Sequence, residues 1–447
     1  MPENVLGGRK CLRKQDHKAI LFFAEDQVDQ TSRYVIAILL VSIFCVFINS
    51  SLQVITGPVL AACFIYLYCK GYQAFVTSVI IVANDSLGCT FMGHISFPYL
   101  LLGLVLLSFA KGKFRSRIRS SQLIGGLIMI LTLIQLFSFH IISVKGVLYT
   151  VTFIIASGYN LKKSEENVEL FFKGVAITVC LISLHTCITG GVEFYELNEY
   201  STEFLRKGIL GVGIGDSNYS TLLLNIGIAC TLFDRNFKWY MKVGITLLNL
   251  FAMTVTLSTS GLIGFLLTLM GFVIVKRSSI PSKVWKSILL LLGMVLLFDL
   301  YINLPSTMQN ETINAYIDRM QDKLFLVQSG DISSFTTNRS SIADQKMDYF
   351  MNGQGVLKQL FGFNSLFADG SNVVPHNTYI DLLLQIGLVG MILTLGHIVT
   401  SSIRAWKDKN RNRRDLLLKL LMLYYFLNLS LYHGSLFSLA YLVLIIL

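Results

Sequence analysis

Residues 34–50 read YVIAILLVSIFCVFINS, and residues 52–69 read LQVITGPVLAACFIYLYC. Neither run contains a charged side chain. A helix needs about 20 mainly apolar residues to cross a bilayer, and about 17 suffice at the short end of the range. Each run is therefore long enough to be a membrane span, although two runs this close together could also form a re-entrant pair.

Apolar runs of this kind recur along the rest of the chain. Hydrophobic residues make up 53% of the sequence, charged residues only 14%, and the mean hydropathy is +0.63. Soluble domains average about 25% charged residues. We therefore predict an all-α integral membrane protein, a multi-span helical bundle of about 12–14 transmembrane helices with one long extracytoplasmic loop. The candidate spans are 34–50, 52–69, 73–92, 95–111, 121–141, 143–160, 170–190, 216–233, 238–257, 260–276, 284–302, 376–401, 415–432 and 434–447.

The positive charges orient this bundle. The net charge is +11, but Lys and Arg cluster between apolar runs, which is typical of cytoplasmic loops and not of a nucleic-acid surface. A cytoplasmic N-terminus with alternating spans brings most of these clusters inside and makes both termini cytoplasmic. The inner clusters are then 111–119, 162–163, 235–238, 276–286 and 404–414.

The predicted spans and their orientation divide the chain into four parts. Residues 1–33 are too polar for a cleaved signal peptide and are predicted to be a cytoplasmic tail. Residues 34–302 form the main transmembrane bundle, with an outer segment at 190–215. Residues 303–375 form the large extracytoplasmic loop, long enough for its own short helices, and 376–447 form the C-terminal transmembrane helices. The eight cysteines include no CxxC pair, so neither a metal site nor a disulfide framework is predicted.

Three arginines, Arg206, Arg319 and Arg339, lie in outer segments that are otherwise rich in acids. Arginine binds phosphate through two parallel hydrogen bonds and keeps its charge. These side chains either form a specific anion site or pair with neighbouring acids. After Arg339, the apolar residues Ile342, Met347, Phe350 and Met351 recur at roughly helical spacing and predict an amphipathic helix on the membrane or over the site.

The junction Pro375-His376-Asn377-Thr378 leads from the long loop into a predicted span. Thr378 and Asp381 have the spacing of a capping box, so a helix is predicted to begin here at the outer surface. The free N–H groups and positive dipole end of such a helix favour an anion. His376 is either a proton acceptor for a hydroxyl or only a polar interface residue beside the cap.

The first outer segment ends in a glycine-rich stretch before the span that starts near 216. Since no strand is expected before these glycines, a nucleotide-binding loop is not predicted. Asp216 and Asn218 are either helix caps or polar groups of a site, and Ser258–Gly261 is predicted to be a turn. His185 is either an ionisable side chain at membrane depth, which would make it a functional candidate by default, or a residue at the outer surface.

Several of these pieces together resemble the O-antigen ligase and O-antigen polymerase superfamily of bacterial envelope proteins. The resemblance covers roughly residues 200–400 and depends on the order and spacing of short motifs. The motifs are Arg206-Lys207-Gly208-Ile209 with Asn218, Thr337-Asn338-Arg339, Phe361-Gly362-Phe363-Asn364, His376-Asn377-Thr378-Tyr379-Ile380 and Gly387-Leu388-Val389-Gly390. Two departures are Ser260-Gly261, where many relatives have Ser-Arg, and Gln345–Tyr349, where many have a Trp.

The resemblance implies a GT-C-like fold and a polysaccharide polymerase in the bacterial cytoplasmic membrane. Such an enzyme transfers glycan from an undecaprenyl-diphosphate-linked donor to an acceptor hydroxyl on the outer face, with inversion and without a metal or cofactor. It implies catalytic roles for Arg206, Arg339 and His376, with Arg319, Asp216, Asn218, Asn377 and Thr378 binding substrate. Its partners would be the lipid-linked oligosaccharide, the lipid bilayer, a flippase and a chain-length regulator.

Two other functions are compatible with the same spans. A ligase would attach finished glycan to a different acceptor by the same chemistry, and a single sequence does not separate it from a polymerase. A lipid-linked oligosaccharide flippase or transporter would be expected to show repeat symmetry between its halves and charges at mid-membrane. The sequence shows no internal repeat, and one long loop dominates.

Overall fold

A computed structural model describes the chain over a set of separate ranges. These are 30–87, 90–91, 95–110, 126–127, 130, 165–193, 207–209, 217–234, 237–256, 258–275, 284–285, 288–289, 291–293, 295–296, 299, 303, 311–330, 339–352, 355–362 and 378–407.

Most of the described residues form helices. The helices are α1 (Gln30–Ile48), α2 (Gln53–Cys69), α3 (Gln73–Leu87), α4 (Phe97–Ala110), α5 (Glu165–Thr189), α6 (Ser217–Phe233), α7 (Trp239–Val255), α8 (Thr259–Val275), α9 (Glu311–Gln328), α10 (Arg339–Asn352), α11 (Val356–Phe361) and α12 (Thr378–Lys407). Two antiparallel ladders pair β1 (Thr90–Phe91) with β2 (Ile95–Ser96) and β3 (Val192–Glu193) with β4 (Lys207–Gly208).

The helix bounds follow the apolar runs closely. The predicted spans 52–69, 238–257 and 260–276 correspond to α2, α7 and α8, with ends that differ by two residues or fewer. The turn predicted at Ser258–Gly261 lies earlier in the chain, because α7 ends at Val255 and α8 already begins at Thr259. The predicted spans 143–160, 415–432 and 434–447 lie outside the described residues, and 121–141 and 284–302 are described only at isolated positions.

Four described helices are long and apolar enough to cross a membrane. They are Gln30–Ile48, Ser50–Cys69, Glu166–Thr189 and Ile386–Arg404. Shorter apolar helices lie at Gln73–Ala83, Ser220–Phe233 and Trp239–Val255. The prediction of a helical membrane protein is confirmed at this level, and the total of about 12–14 spans stays a prediction.

The first two helices show how the sequence makes a tight turn between apolar runs. A 3-10 turn, Ser50–Leu52, joins them, and Asn49 accepts a hydrogen bond from the Ser51 N–H through Oδ1 at 3.0 Å. This bond satisfies one of the N–H groups that a helix start leaves unpaired. α1 and α2 then pack against each other.

Helix α5 lies at the centre of the bundle and packs against α3, α6 and α7. In its apolar window 72% of the residues are buried, against 33–39% for the other three candidate spans. Two glycines permit close packing around it. A Cβ atom at Gly174 would overlap the Ser78 hydroxyl, and one at Gly227 of α6 would overlap Val179. Small residues at such contacts are a common means of helix association in membranes.

Buried polar side chains join these helices at several levels. Ser183 donates to Asn249 Oδ1 at 2.5 Å across α5 and α7, and Asn225 Nδ2 donates to the Gly261 carbonyl at 3.1 Å across α6 and α8. His185 packs edge-on against Phe47, with ring centroids 6.3 Å apart. His185 is therefore part of the contact between α1 and α5.

One end of the bundle carries a charged cluster. Lys173 of α5 is 2% exposed and interacts electrostatically with Asp234 and Glu169. Lys242 of α7 donates to the carbonyls of Leu232, at 2.9 Å, and Asp234 at the end of α6. A cation there satisfies helix-end carbonyls that would otherwise be unpaired. This end is the one predicted to be cytoplasmic.

Candidate functional site

Helices α10 and α11 pack against the first part of α12. Phe350 of α10 joins Ile380, Leu383 and Leu384 of α12 in a buried apolar cluster that is separate from the main core. We call residues 339–352, 356–361 and 378–386 the junction layer. It contains the helix that begins at Arg339 and the first part of the helix that begins at Thr378, so these two helices belong to one packed unit.

Helix α11 is fixed to the end of α10 by one side chain. Gln359 Nε2 donates to the carbonyls of Phe350, at 3.0 Å, and Met351, at 3.1 Å. Both carbonyls lie in the last turn of α10, where no further helical N–H is available to them. Gln359 thus acts as a C-cap supplied from the next helix and sets the angle between α10 and α11.

Helix α12 is broken at Gly387, where φ is 66° and ψ is −172°. Only glycine adopts this conformation readily. A Cβ atom there would overlap the Leu360 carbonyl oxygen and would lie 2.5 Å from the Gly362 nitrogen. The end of α11 therefore sits against the break in α12. The two short motifs Phe361-Gly362 and Gly387–Gly390, which lie far apart in the sequence, are brought together by this contact.

Replacing Gly387 by alanine is expected to lower the stability of the folded protein by about 1–3 kcal/mol for the backbone conformation alone. The overlap with Leu360 adds to that loss. Gly396→Ala is the matched control, because a Cβ atom at Gly396, in the same helix, would meet nothing within 4 Å. Thermal unfolding in detergent should show a lower Tm for Gly387→Ala and an equal or higher Tm for Gly396→Ala. Equal Tm values for both variants would contradict the contact.

The predicted site residues fall into two groups. Arg339 is the first residue of α10, Thr378 the first of α12, Asn218 the second of α6, and Arg319 lies within α9. Only the backbone of these four is described. Arg206, Asp216, His376 and Asn377 lie outside the described residues. The predicted helix starts near Asp216 and at Thr378 are both confirmed.

The helix predicted after Arg339 is confirmed, and the four apolar residues that predict it do not share one environment. Phe350 is buried and Ile342 is half-buried, whereas Met347 and Met351 are 39% and 63% exposed. The residue that replaces them in the interior is Lys346, which is 1% exposed. Hydrophobic spacing could not predict this, because it assigns every lysine to the solvent side.

Lys346 shares a helix face with the position of Arg339. Arg339, Ala343, Lys346 and Phe350 follow one another at steps of four, three and four residues, which is one side of an α-helix. Ala343 and Phe350 on this side contact the cluster that includes α12. The spacing of seven residues between Arg339 and Lys346 was the signal in the sequence that could have identified this second cation.

The strand that follows Arg206 packs at a different place. Directly after Arg206, Lys207 pairs with Glu193 in the β3–β4 ladder, at the end of α5. The Ile209 N–H then donates to Ser220 Oγ in the first turn of α6 at 3.2 Å, and Ile209 is 2% exposed. The strand that follows Arg206 is thereby fixed to the ends of two core helices. Unlike the segments of Arg339 and Thr378, it belongs to the main bundle.

The junction layer is connected to that bundle through α12. Ile386, one residue before the break, is 1% exposed and belongs to the main apolar core, and Leu393 and Ile398 pack against the same core. Among the residues that the structure describes, no group of three or more His, Cys, Asp or Glu is arranged to hold a metal ion. Comparisons with protein-family models, curated proteins and solved structures find no match to the chain.

Proposed function

We propose that this protein is a polysaccharide polymerase with a GT-C-like fold that acts on the outer face of the bacterial cytoplasmic membrane. It transfers glycan from an undecaprenyl-diphosphate-linked donor to a hydroxyl of an acceptor repeat unit. One observation carries the proposal: the helix that begins at Arg339 packs against the helix that begins at Thr378. This layer lies at the end of α12 opposite Arg404 and Lys407, the end that basic residues predict to face away from the cytoplasm.

The diphosphate of the donor is the group that the arginines would bind. When the bond between the anomeric carbon and the diphosphate oxygen breaks, negative charge grows on the leaving group. A guanidinium already positioned there stabilises the transition state more than the ground state. Lys346 adds a positive charge to the helix face that carries Arg339, and the N-terminus of α12 contributes its dipole.

His376 is assigned the role of general base. The acceptor hydroxyl oxygen attacks the anomeric carbon, its proton passes to the imidazole, and the polyprenyl diphosphate leaves from the opposite face. The new glycosidic bond therefore has the inverted configuration. A base two residues before α12 would stand beside the anion site, because Asn377 and Thr378 follow His376 directly.

Reconstituted protein tests this proposal directly. Purified chain in proteoliposomes would be given a synthetic undecaprenyl-diphosphate-linked repeat unit as both donor and acceptor. We expect a product ladder whose steps equal one repeat unit, with release of free undecaprenyl diphosphate. A single transfer to another acceptor, as by a ligase, would overturn the polymerase assignment. Movement of the intact lipid across the bilayer without bond formation, as by a flippase, would overturn the enzymatic assignment altogether.

A further inference from the structure

Helix α10 has few buried side chains. Among those that the structure describes, only Lys346 and Phe350 are buried, at 1% and 7% exposed, and the half-buried Ile342, Ala343 and Tyr349 lie beside them. These five positions follow one another at steps of one, three, three and one residues, which is one side of an α-helix. Two buried side chains, one aromatic and one cationic, therefore hold α10 on the protein, and Lys346 lies at the middle of the packed side.

The neighbours of Lys346 place it where α10 packs against the first turns of α12. Phe350 is buried with Ile380 and Leu384 of α12, and Ala343 packs against the same cluster. Lys346 lies between Ala343 and Phe350 on the helix and is enclosed at this contact. A buried ammonium requires a polar or charged partner, because burying an unpaired charge is costly. Such a contact is directional, whereas the apolar contact of Phe350 is not. Lys346 therefore selects one rotation of α10 about its axis.

We propose that Lys346 is a positioning residue for Arg339. The position of Arg339 lies four residues before Ala343 and seven before Lys346, so it belongs to the same side of α10. The rotation of α10 that Lys346 fixes is thus the rotation that keeps the position of Arg339 on the side that packs against α12. Seven residues of helix span about 10 Å. At that separation, and at 1% exposure, Lys346 acts through the placement of Arg339 and not by touching substrate.

The effect of Lys346 on catalysis rests on the proposed function, whereas its anchoring of α10 does not. A displacement of about 1 Å in a group that stabilises the transition state is enough to lower a rate about 10²-fold. If Arg339 binds the diphosphate as the glycosidic bond breaks, a loosened α10 should lower kcat in the same way as a change at Arg339 itself. The two parts of the inference are therefore measured separately.

Hydrogen–deuterium exchange of the full chain tests the anchoring without reference to activity. Lys346→Met removes the ammonium and leaves an unbranched side chain of similar length and helix propensity. We expect the backbone amides of α10 to exchange at least about tenfold faster in this variant, because local opening of the helix becomes easier. Lys358→Met, the same change at an exposed lysine of α11, should leave that exchange unchanged. Lys346→Gln takes the place of Lys346→Met if that variant does not fold. Equal exchange in wild type and variant would overturn the anchoring, and the proposal with it.

A double-mutant cycle in proteoliposomes tests the positioning. Lys346→Met should lower kcat about 10²-fold with little change in KM, and Lys346→Arg, which keeps the charge, should recover most of the rate. In the Arg339→Lys background, Lys346→Met should add little further loss, because the group through which it acts has already been changed. Losses that multiply in the double variant would overturn the positioning role. A wild-type chain that makes no polymer would refute the proposed function and the catalytic effect together, while the exchange of α10 would still show whether Lys346 anchors it.

Discussion

Replacing His376 by alanine is expected to lower the rate of polymer formation about 10²–10⁴-fold, the usual contribution of a general base. The acceptor hydroxyl would then attack while still holding its proton, or would lose it only to water. The protein should still reach the membrane in normal amount, because a residue that precedes Thr378 is not needed to form α12. The measurement is the initial rate of ladder formation in proteoliposomes, normalised to the amount of folded protein.

His433→Ala is the matched control for this variant. His433 lies between the predicted spans 415–432 and 434–447, so the sequence predicts that it also faces the outside. We expect a rate within about twofold of wild type for it, since surface substitutions away from a site usually change little. Full-length polymer at the wild-type rate in His376→Ala would remove the base assignment. Equal losses in both variants would mean that the effect is not specific to His376.

The helices could be predicted from sequence because a chain that crosses lipid has few alternatives to a helix. A backbone in hydrocarbon must satisfy its own hydrogen bonds, so an uncharged apolar run becomes a helix and the first polar residues end it. Asn49, which caps the turn between α1 and α2, shows this directly. The same reasoning predicted that helices begin near Asp216 and at Thr378.

The features that assemble the junction layer could not be predicted in this way. Gly387 lies within the predicted span 376–401, and its break depends on Leu360 and Gly362, more than twenty residues earlier in the chain. Lys346 is buried for a similar reason, because the side of α10 that faces α12 is decided by tertiary packing. Sequence periodicity predicts that a helix has an apolar side, but long-range contacts decide which side of the helix is buried.

Arg339→Lys is expected to lower kcat about 10²–10³-fold, comparable to the loss of one preorganised donor to a developing anion. The substitution keeps the positive charge and replaces the planar, two-pronged guanidinium by an ammonium, which binds diphosphate as a point charge. Arg and Lys have similar helix propensities, so α10 should still form. Arg404→Lys, at the opposite end of α12, makes the same chemical change away from the proposed site and should leave kcat unchanged.

The division of the Arg339→Lys effect between kcat and KM separates two roles for this arginine. If the guanidinium binds the diphosphate equally in the ground and transition states, KM rises and kcat does not change. If its contact strengthens as the glycosidic bond breaks, kcat falls with little change in KM, which is the result that we expect. Unchanged kcat and KM in Arg339→Lys would mean that the arginine only pairs with a nearby acid, since a surface ion pair tolerates lysine. Lys346, on the same helix face, would then not belong to a diphosphate site. The diphosphate would have to bind near the strand that follows Arg206.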